Sequence, residues 1–114
     1  MSASAQSRPT DAARHAPVFA ALGDETRLSL VAKLCERSPQ SISRLTEGSN
    51  LTRQAVTKHL SVLQNAGLVS SIRAGRESQY ELKVEPLESI KDYLDDVSKQ
   101  WDDALGRLKA FVEG

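Results

Sequence analysis

Residues 52–67 read TRQAVTKHLSVLQNAG, and this stretch fixes the rest of the reading. Thr52 offers a hydroxyl where a helix needs an N-cap, and Gly67 stands where a C-terminal glycine ends one. At about 100° per residue, Val56, Leu60 and Leu63 fall within one arc, while Arg53, Gln54, Thr57, Lys58, Ser61 and Gln64 lie outside it on the polar side. The spacing therefore predicts a helix with one apolar face and one hydrogen-bonding face. His59 lies nearer the apolar arc, which predicts a packed, hydrogen-bonded histidine.

Working outward, the preceding residues supply further helices. Val18, Phe19 and Leu22 have helical spacing over 16–22, and Gly23 closes that helix. Asp24 is placed to cap a second helix whose apolar positions Leu28, Val31, Leu34 and Cys35 are expected on one core stripe, until Ser38 and Pro39 break it. A short third helix is expected over 40–47, anchored by Ile42 and Leu45. It stops at Gly48, Ser49 and Asn50, where Gly and Asn both tolerate the left-handed conformation of a tight turn. Beyond Gly67, Leu68 and Val69 start an extended stretch reaching Arg73, and Tyr80, Leu82 and Val84 alternate with polar residues as a second strand. Ala74, Gly75, Arg76 and Glu77 connect the two as a hairpin with an arginine-bearing tip. Pro86 opens a last helix in which Leu87, Leu94, Trp101 and Leu108 recur every seventh residue, as do Ile90, Val97, Ala104 and Phe111.

Short helix, tight turn, capped amphipathic helix and hairpin make a winged helix-turn-helix, a mainly α fold with a small β-hairpin and a long C-terminal dimerisation helix. The expected organisation is a disordered tail over 1–14, the winged domain over 15–84 and the dimerisation helix over 85–114. The 114 residues suit a single fold, and 39% hydrophobic with 26% charged residues is a globular composition. With no long apolar run and a polar beginning, neither a membrane span nor a secretory signal is expected. One cysteine, Cys35, has no partner thiol, so the expected location is the reducing cytoplasm.

Formal net charge is zero, yet the charges are segregated. Residues 41–83 carry six cations against three anions, and residues 84–114 four against eight. The basic segment coincides with the hydrogen-bonding helix and the hairpin, which points to double-stranded DNA as partner. A major groove admits one helix, whose exposed N-terminal half must present donors and acceptors to base edges. Arg53 suits guanine, Gln54 suits adenine, Thr57 a phosphate, a base or a thymine methyl, and Lys58 a phosphate or guanine; Thr52 completes the set. Arg73 and Arg76 at the hairpin are placed for the adjacent minor groove or the backbone.

The heptad stripe is long for a domain whose core the earlier helices already supply, and it includes Trp101 and Phe111, residue types enriched at interfaces. Pairing with a second copy is therefore expected through Leu87, Ile90, Leu94, Val97, Trp101, Leu108 and Phe111. No nucleophile, base and orienting group come together, and with two histidines and one cysteine no metal or cofactor set is expected. Cys35 on a core stripe reads as an inert thiol. Two other readings use the same residues: a winged-helix module that binds protein, suggested by the zero net charge and acidic last helix, and a redox or metal sensor built on Cys35.

The stretches LGDETRLSLVAKL, LTRQAVTKHLSVLQNAGLV and GRESQYEL together resemble the ArsR/SmtB-type bacterial transcriptional regulators. The resemblance covers most of residues 16–84. It implies a winged-helix homodimer joined through its first and last helices, which brings Phe19 into the expected interface, and a repressor that releases DNA on a signal. It carries base reading onto Arg53, Gln54, Thr57 and Lys58, and the wing role onto Arg73 and Arg76. Metal-sensing members place cysteines on the helix before the reading helix, where this chain has Ser41, Ile42, Ser43 and Arg44, or a histidine and carboxylate set on the last helix, which is missing here. The long last helix with Trp101 looks more like the subgroup found beside genes for SRPBCC proteins, leaving a small-molecule inducer open.

Overall fold

The computed structural model describes residues 9–114. The elements run α1 (Pro9–Leu22), α2 (Glu25–Glu36), β1 (Gln40–Ser41), α3 (Ile42–Thr46), α4 (Arg53–Asn65), β2 (Val69–Ala74), β3 (Glu77–Leu82) and α5 (Val84–Glu113). The fold is thus mainly helical with a small antiparallel sheet. Helix α1 begins well before the expected Ala16, so residues 9–14 are helical and not tail. The rest of the expected tail lies outside the described residues.

Local chemistry sets most boundaries. The Asp24 carboxylate accepts the Arg27 N–H at 3.0 Å and starts α2; Ser41 Oγ does the same for Arg44 at α3, and Thr52 Oγ1 for Ala55 at α4. At the end of α2, the Gln40 side-chain amide donates to the carbonyls of Lys33 and Arg37, both at 2.7 Å. Lys33 Nζ in turn donates to the carbonyl of Leu45 at 3.1 Å, placing a cation at the C-terminus of α3, where the helix dipole favours it. Gly48 and Gly67 take φ of 78° and 81° at the two turns that bracket α4. No other residue type has a positive φ among the described residues, so at the turn before α4 it is Gly48, and not Asn50, that takes the left-handed conformation.

The core is built from α2, α3, α4 and the sheet: Leu34, Leu45, Val56, Leu60, Leu63, Leu68 and Val69 are all fully buried. The apolar arc predicted for α4 is therefore the buried one. On α2 the expected stripe is displaced. Leu30, Val31 and Leu34 are buried, whereas Leu28 and Cys35 are exposed. On the helical wheel those two lie about 40–60° beyond Val31, past the edge of the covered arc. The inert, buried thiol expected at Cys35 is thus corrected to an exposed one.

Strands β2 and β3 pair antiparallel from Val69↔Leu82 to Ala74↔Glu77, which narrows the expected four-residue connection to Gly75 and Arg76. Gly75 has φ of 67° and Arg76 does not have a positive φ, the pattern of a type II′ turn with glycine in its first central place. Strand β1 was expected as helix. Its two residues instead pair with Tyr80 and Gln79 on the free edge of β3, giving the order β1-β3-β2. This ties the start of α3 to the wing. Val84, expected on the second strand, is the first residue of α5, and Pro86 sits third in that helix, still within the turn that needs no N–H partner.

Helix α5 has two halves. Its first turns pack on the domain: Ile90 is buried, Leu87 covers the core, and the Tyr93 ring lies 4.7 Å from His15 and 6.1 Å from Phe19, both on α1. From Leu94 onward the helix projects away, and the radius of gyration of 18.3 Å far exceeds the approximately 13 Å of a compact domain of this length. No helix among the described residues is long and apolar enough to cross a membrane.

Candidate nucleic-acid interface

Helix α4 is held from behind and free in front. Val56, Leu60 and Leu63 anchor its buried face. His59, half-buried on the flank, has Nδ1 3.3 Å from an Arg27 guanidinium nitrogen and 3.8 Å from the Asp24 carboxylate. Arg27 also donates through Nε to the carbonyl of Ala21 at 2.6 Å. One cluster thus joins the end of α1, the start of α2 and the middle of α4. The Arg27 N–H bond and the neighbouring Arg27 and His59 charges hold the Asp24 carboxyl below the usual aspartate range. His59 is the packed histidine that the sequence predicts.

The front of the N-terminal half of α4 exposes Arg53, Gln54, Thr57 and Lys58, with Thr52 at its tip. These expected readers share one face. Two are already engaged with the helix itself. The Thr52 hydroxyl oxygen caps Ala55, leaving its hydrogen for a phosphate. Thr57 donates its hydroxyl to the carbonyl of Arg53 at 2.7 Å, leaving its methyl and an oxygen lone pair for a base edge. Arg73, near the end of β2, and Arg76, in the turn, are both exposed on the wing.

The expected reader with the most bonding is Arg53. One terminal nitrogen donates to Ser43 Oγ at 2.9 Å, and the other meets Glu77 Oε2 at 3.3 Å. Ser43 Oγ itself donates to the same Glu77 oxygen at 2.5 Å. The Ser43 hydrogen bond, followed by the Arg53 charge, holds the Glu77 carboxyl below the usual glutamate range. In the sequence Glu77 stands in the hairpin connection, as an acid that counts against a DNA-contacting wing, and Ser43 has no role in the interface. Opposite charge at positions 53 and 77 was the available signal, and the packing of α3 against both α4 and β3 brings the two together.

The expected pairing surface divides. Ile90 is buried within its own chain, and Leu87 is half-buried against the core. Phe19 and Val97 are half-buried. Leu94, Trp101, Leu108 and Phe111 stand exposed on the projecting half of α5, joined by Leu105 and Val112, which the heptad did not include. No group of three or more metal-ligating side chains converges among the described residues.

The sequence profile described as "Bacterial regulatory protein, arsR family" matches residues 24–71, from the α2 cap through the first part of the wing. The uncharacterized HTH-type transcriptional regulator YuzN of Bacillus subtilis is 40% identical over 79 residues, 64% of this chain and 86% of that protein. The arsenical resistance operon repressor of Bacillus subtilis is 32% identical over 72 residues, 63% of this chain and 69% of that one. Among solved structures, an ArsR-like transcriptional regulator from Rhodococcus superposes with a TM-score of 0.69 at 39% identity, covering 87% of this chain and 92% of its own.

Proposed function

We propose, on the premise that this chain belongs to the arsR family of bacterial transcriptional regulators, that it is a cytoplasmic homodimeric repressor that reads an inverted-repeat operator with α4. The observation that carries this reading is the single exposed face of Arg53, Gln54, Thr57 and Lys58, set beside a wing bearing Arg73 and Arg76. Two such faces related by a two-fold axis meet half-sites about one helical turn, ~34 Å, apart. The open apolar stripe on the second half of α5 supports pairing with a second copy. One of the Bacillus subtilis relatives, the arsenical resistance operon repressor, is named as a repressor. The arsenical resistance in that protein's name is not carried over, because the one cysteine here lies on α2, while α3 offers Ser43 and Arg44.

Footprinting on the chain's own upstream region tests the proposal. A protected inverted repeat is expected, with binding that weakens steeply as salt rises, because phosphate contacts release counterions. Arg53→Ala should cost about 1–3 kcal/mol and relax base preference at one position per half-site. Arg76→Ala should weaken all sequences evenly and lower the salt slope by about 1. Absence of salt-sensitive binding to any promoter duplex refutes the reading.

A further inference from the structure

We propose that Glu77, together with Ser43, is a specificity-determining pair that occupies the Arg53 guanidinium in the free protein and yields it to a neutral base-edge acceptor pair, not to a phosphate. The inference rests on the DNA-reading role of α4 given above.

The geometry is that of an occupied fork. The two terminal nitrogens of Arg53 each meet one of two oxygens, Ser43 Oγ and Glu77 Oε2, which lie 2.5 Å from each other. Two adjacent acceptors facing two parallel N–H groups is also how guanine O6 and N7 engage arginine. A bidentate guanine contact through that edge therefore requires exchange, with guanine taking the place that Ser43 and Glu77 hold. The exchange is open to solvent, since the Arg53 and Glu77 side chains are 59% and 35% exposed.

Charge decides which competitor succeeds. A phosphate brought to the same edge carries negative charge toward the Glu77 carboxylate, whereas a guanine edge offers two acceptors without net charge. Away from an operator, Arg53 thus stays paired with Glu77 and adds little to backbone affinity. At an operator, the remaining contacts of α4 and the wing hold a guanine against the fork, and the exchange completes. Ser43 adds definition by fixing the carboxylate oxygen that Arg53 meets, and it comes from α3, the other helix of the turn. The pair therefore raises discrimination by suppressing nonspecific binding, with no contact of its own to a base.

The test uses the full chain and two probes: a 30-bp duplex of random sequence, and a 30-bp duplex selected from a random pool by the wild-type protein. Fluorescence anisotropy across a salt series is measured for wild type, Glu77→Gln, Arg53→Ala and the double variant. Glu81→Gln serves as control, because Glu81 is an exposed acid on the same strand and reports the general effect of removing a negative charge. Glu77→Gln is expected to tighten the random duplex about two- to fivefold beyond the control and to steepen its salt slope by about 0.9, one phosphate contact. The selected duplex should gain less, so discrimination falls, and both effects should vanish in the Arg53→Ala background.

Three results overturn the inference while leaving the DNA-reading role intact. These are equal effects of Glu77→Gln and Glu81→Gln, persistence of the effect without Arg53, or a larger loss on the selected duplex than on the random one, which would make Glu77 a support that Arg53 keeps while reading. A wild-type protein that binds neither duplex overturns the DNA-reading role, and this inference with it.

Discussion

If the projecting half of α5 is the seam of the proposed homodimer, Trp101→Ala should shift the protein strongly from dimer toward monomer. Trp101 is 59% exposed on the projecting half of α5, and Leu94, Leu105, Leu108, Phe111 and Val112 continue the same apolar surface. A tryptophan side chain can bury up to about 250 Å², so roughly 150 Å² of it is open. At about 25 cal/mol per Å² that is ~4 kcal/mol per protomer. A symmetric seam counts the residue twice, and if about half of the open area is covered, truncation costs ~4 kcal/mol per dimer. The dimer dissociation constant should then rise by a factor of several hundred to about a thousand. Sedimentation equilibrium of wild type and variant reads this directly. Because Trp101 is the single tryptophan, the wild type supplies a second readout: its emission should be blue-shifted at high concentration and move to the red on dilution. Emission of a fully hydrated indole at every concentration, or a dissociation constant within threefold of wild type in Trp101→Ala, would refute the assignment of this stripe to a dimer seam.

Further outcomes follow from the core, the caps and the carboxylates. Leu60→Ala, at a fully buried position on the inner face of α4, should destabilise by about 2–5 kcal/mol in chemical denaturation, with an unchanged m-value. Thr52→Ala removes the acceptor of the Ala55 N–H and should cost about 1 kcal/mol, read as a Tm lowered by roughly 4 °C; Thr52→Ser should restore most of it. Asp24 and Glu77 both have depressed carboxyl pKa values in the folded chain. Their stabilisation is therefore fully present above the ordinary carboxylate range and is lost as pH falls through the depressed values. Thermal stability should change little between pH 7 and pH 5 from these groups and fall below about pH 4. The fall should be shallower in Asp24→Asn.

The sequence made α4 legible because three signals coincide on it: a capping threonine, a terminating glycine and a division of apolar from polar positions. The structure places Val56, Leu60 and Leu63 inside and Arg53, Gln54, Thr57 and Lys58 outside, as that division requires. Where one signal stands alone, sequence pattern and structure part. On α2 the choice of Leu28 and Cys35 over Leu30 followed apolar spacing alone, and Arg27, a charged residue, occupies part of the inward face by donating to the Ala21 carbonyl. Strand β1 is two residues long, too short for any period, and exists because β3 offers a free edge to Gln40 and Ser41. Ile90 satisfies the heptad, yet its position near the start of α5 places it over the domain's own core, so periodicity could not say which partner covers it. The Arg53, Ser43 and Glu77 contact was invisible for a related reason: it joins residues 10 and 24 positions from Arg53, which meet through the packing of α3 against both α4 and β3.

The same contacts that stabilise the domain fix where α4 sits relative to the projecting half of α5. The first turns of α5 are held to α1 by the Tyr93 ring against His15 and Phe19. The C-terminal turn of α1 is held by the Arg27 guanidinium at the Ala21 carbonyl, and the same guanidinium reaches His59 on α4. Each step joins regular elements, with no long loop in the chain of contacts. If the open stripe of α5 is the seam between two copies, the separation of the two α4 helices is set by packed side chains and not by a flexible linker. Such a dimer tolerates only a narrow range of half-site spacing, because moving one α4 relative to the other requires breaking the Tyr93 packing or the Arg27 bonds.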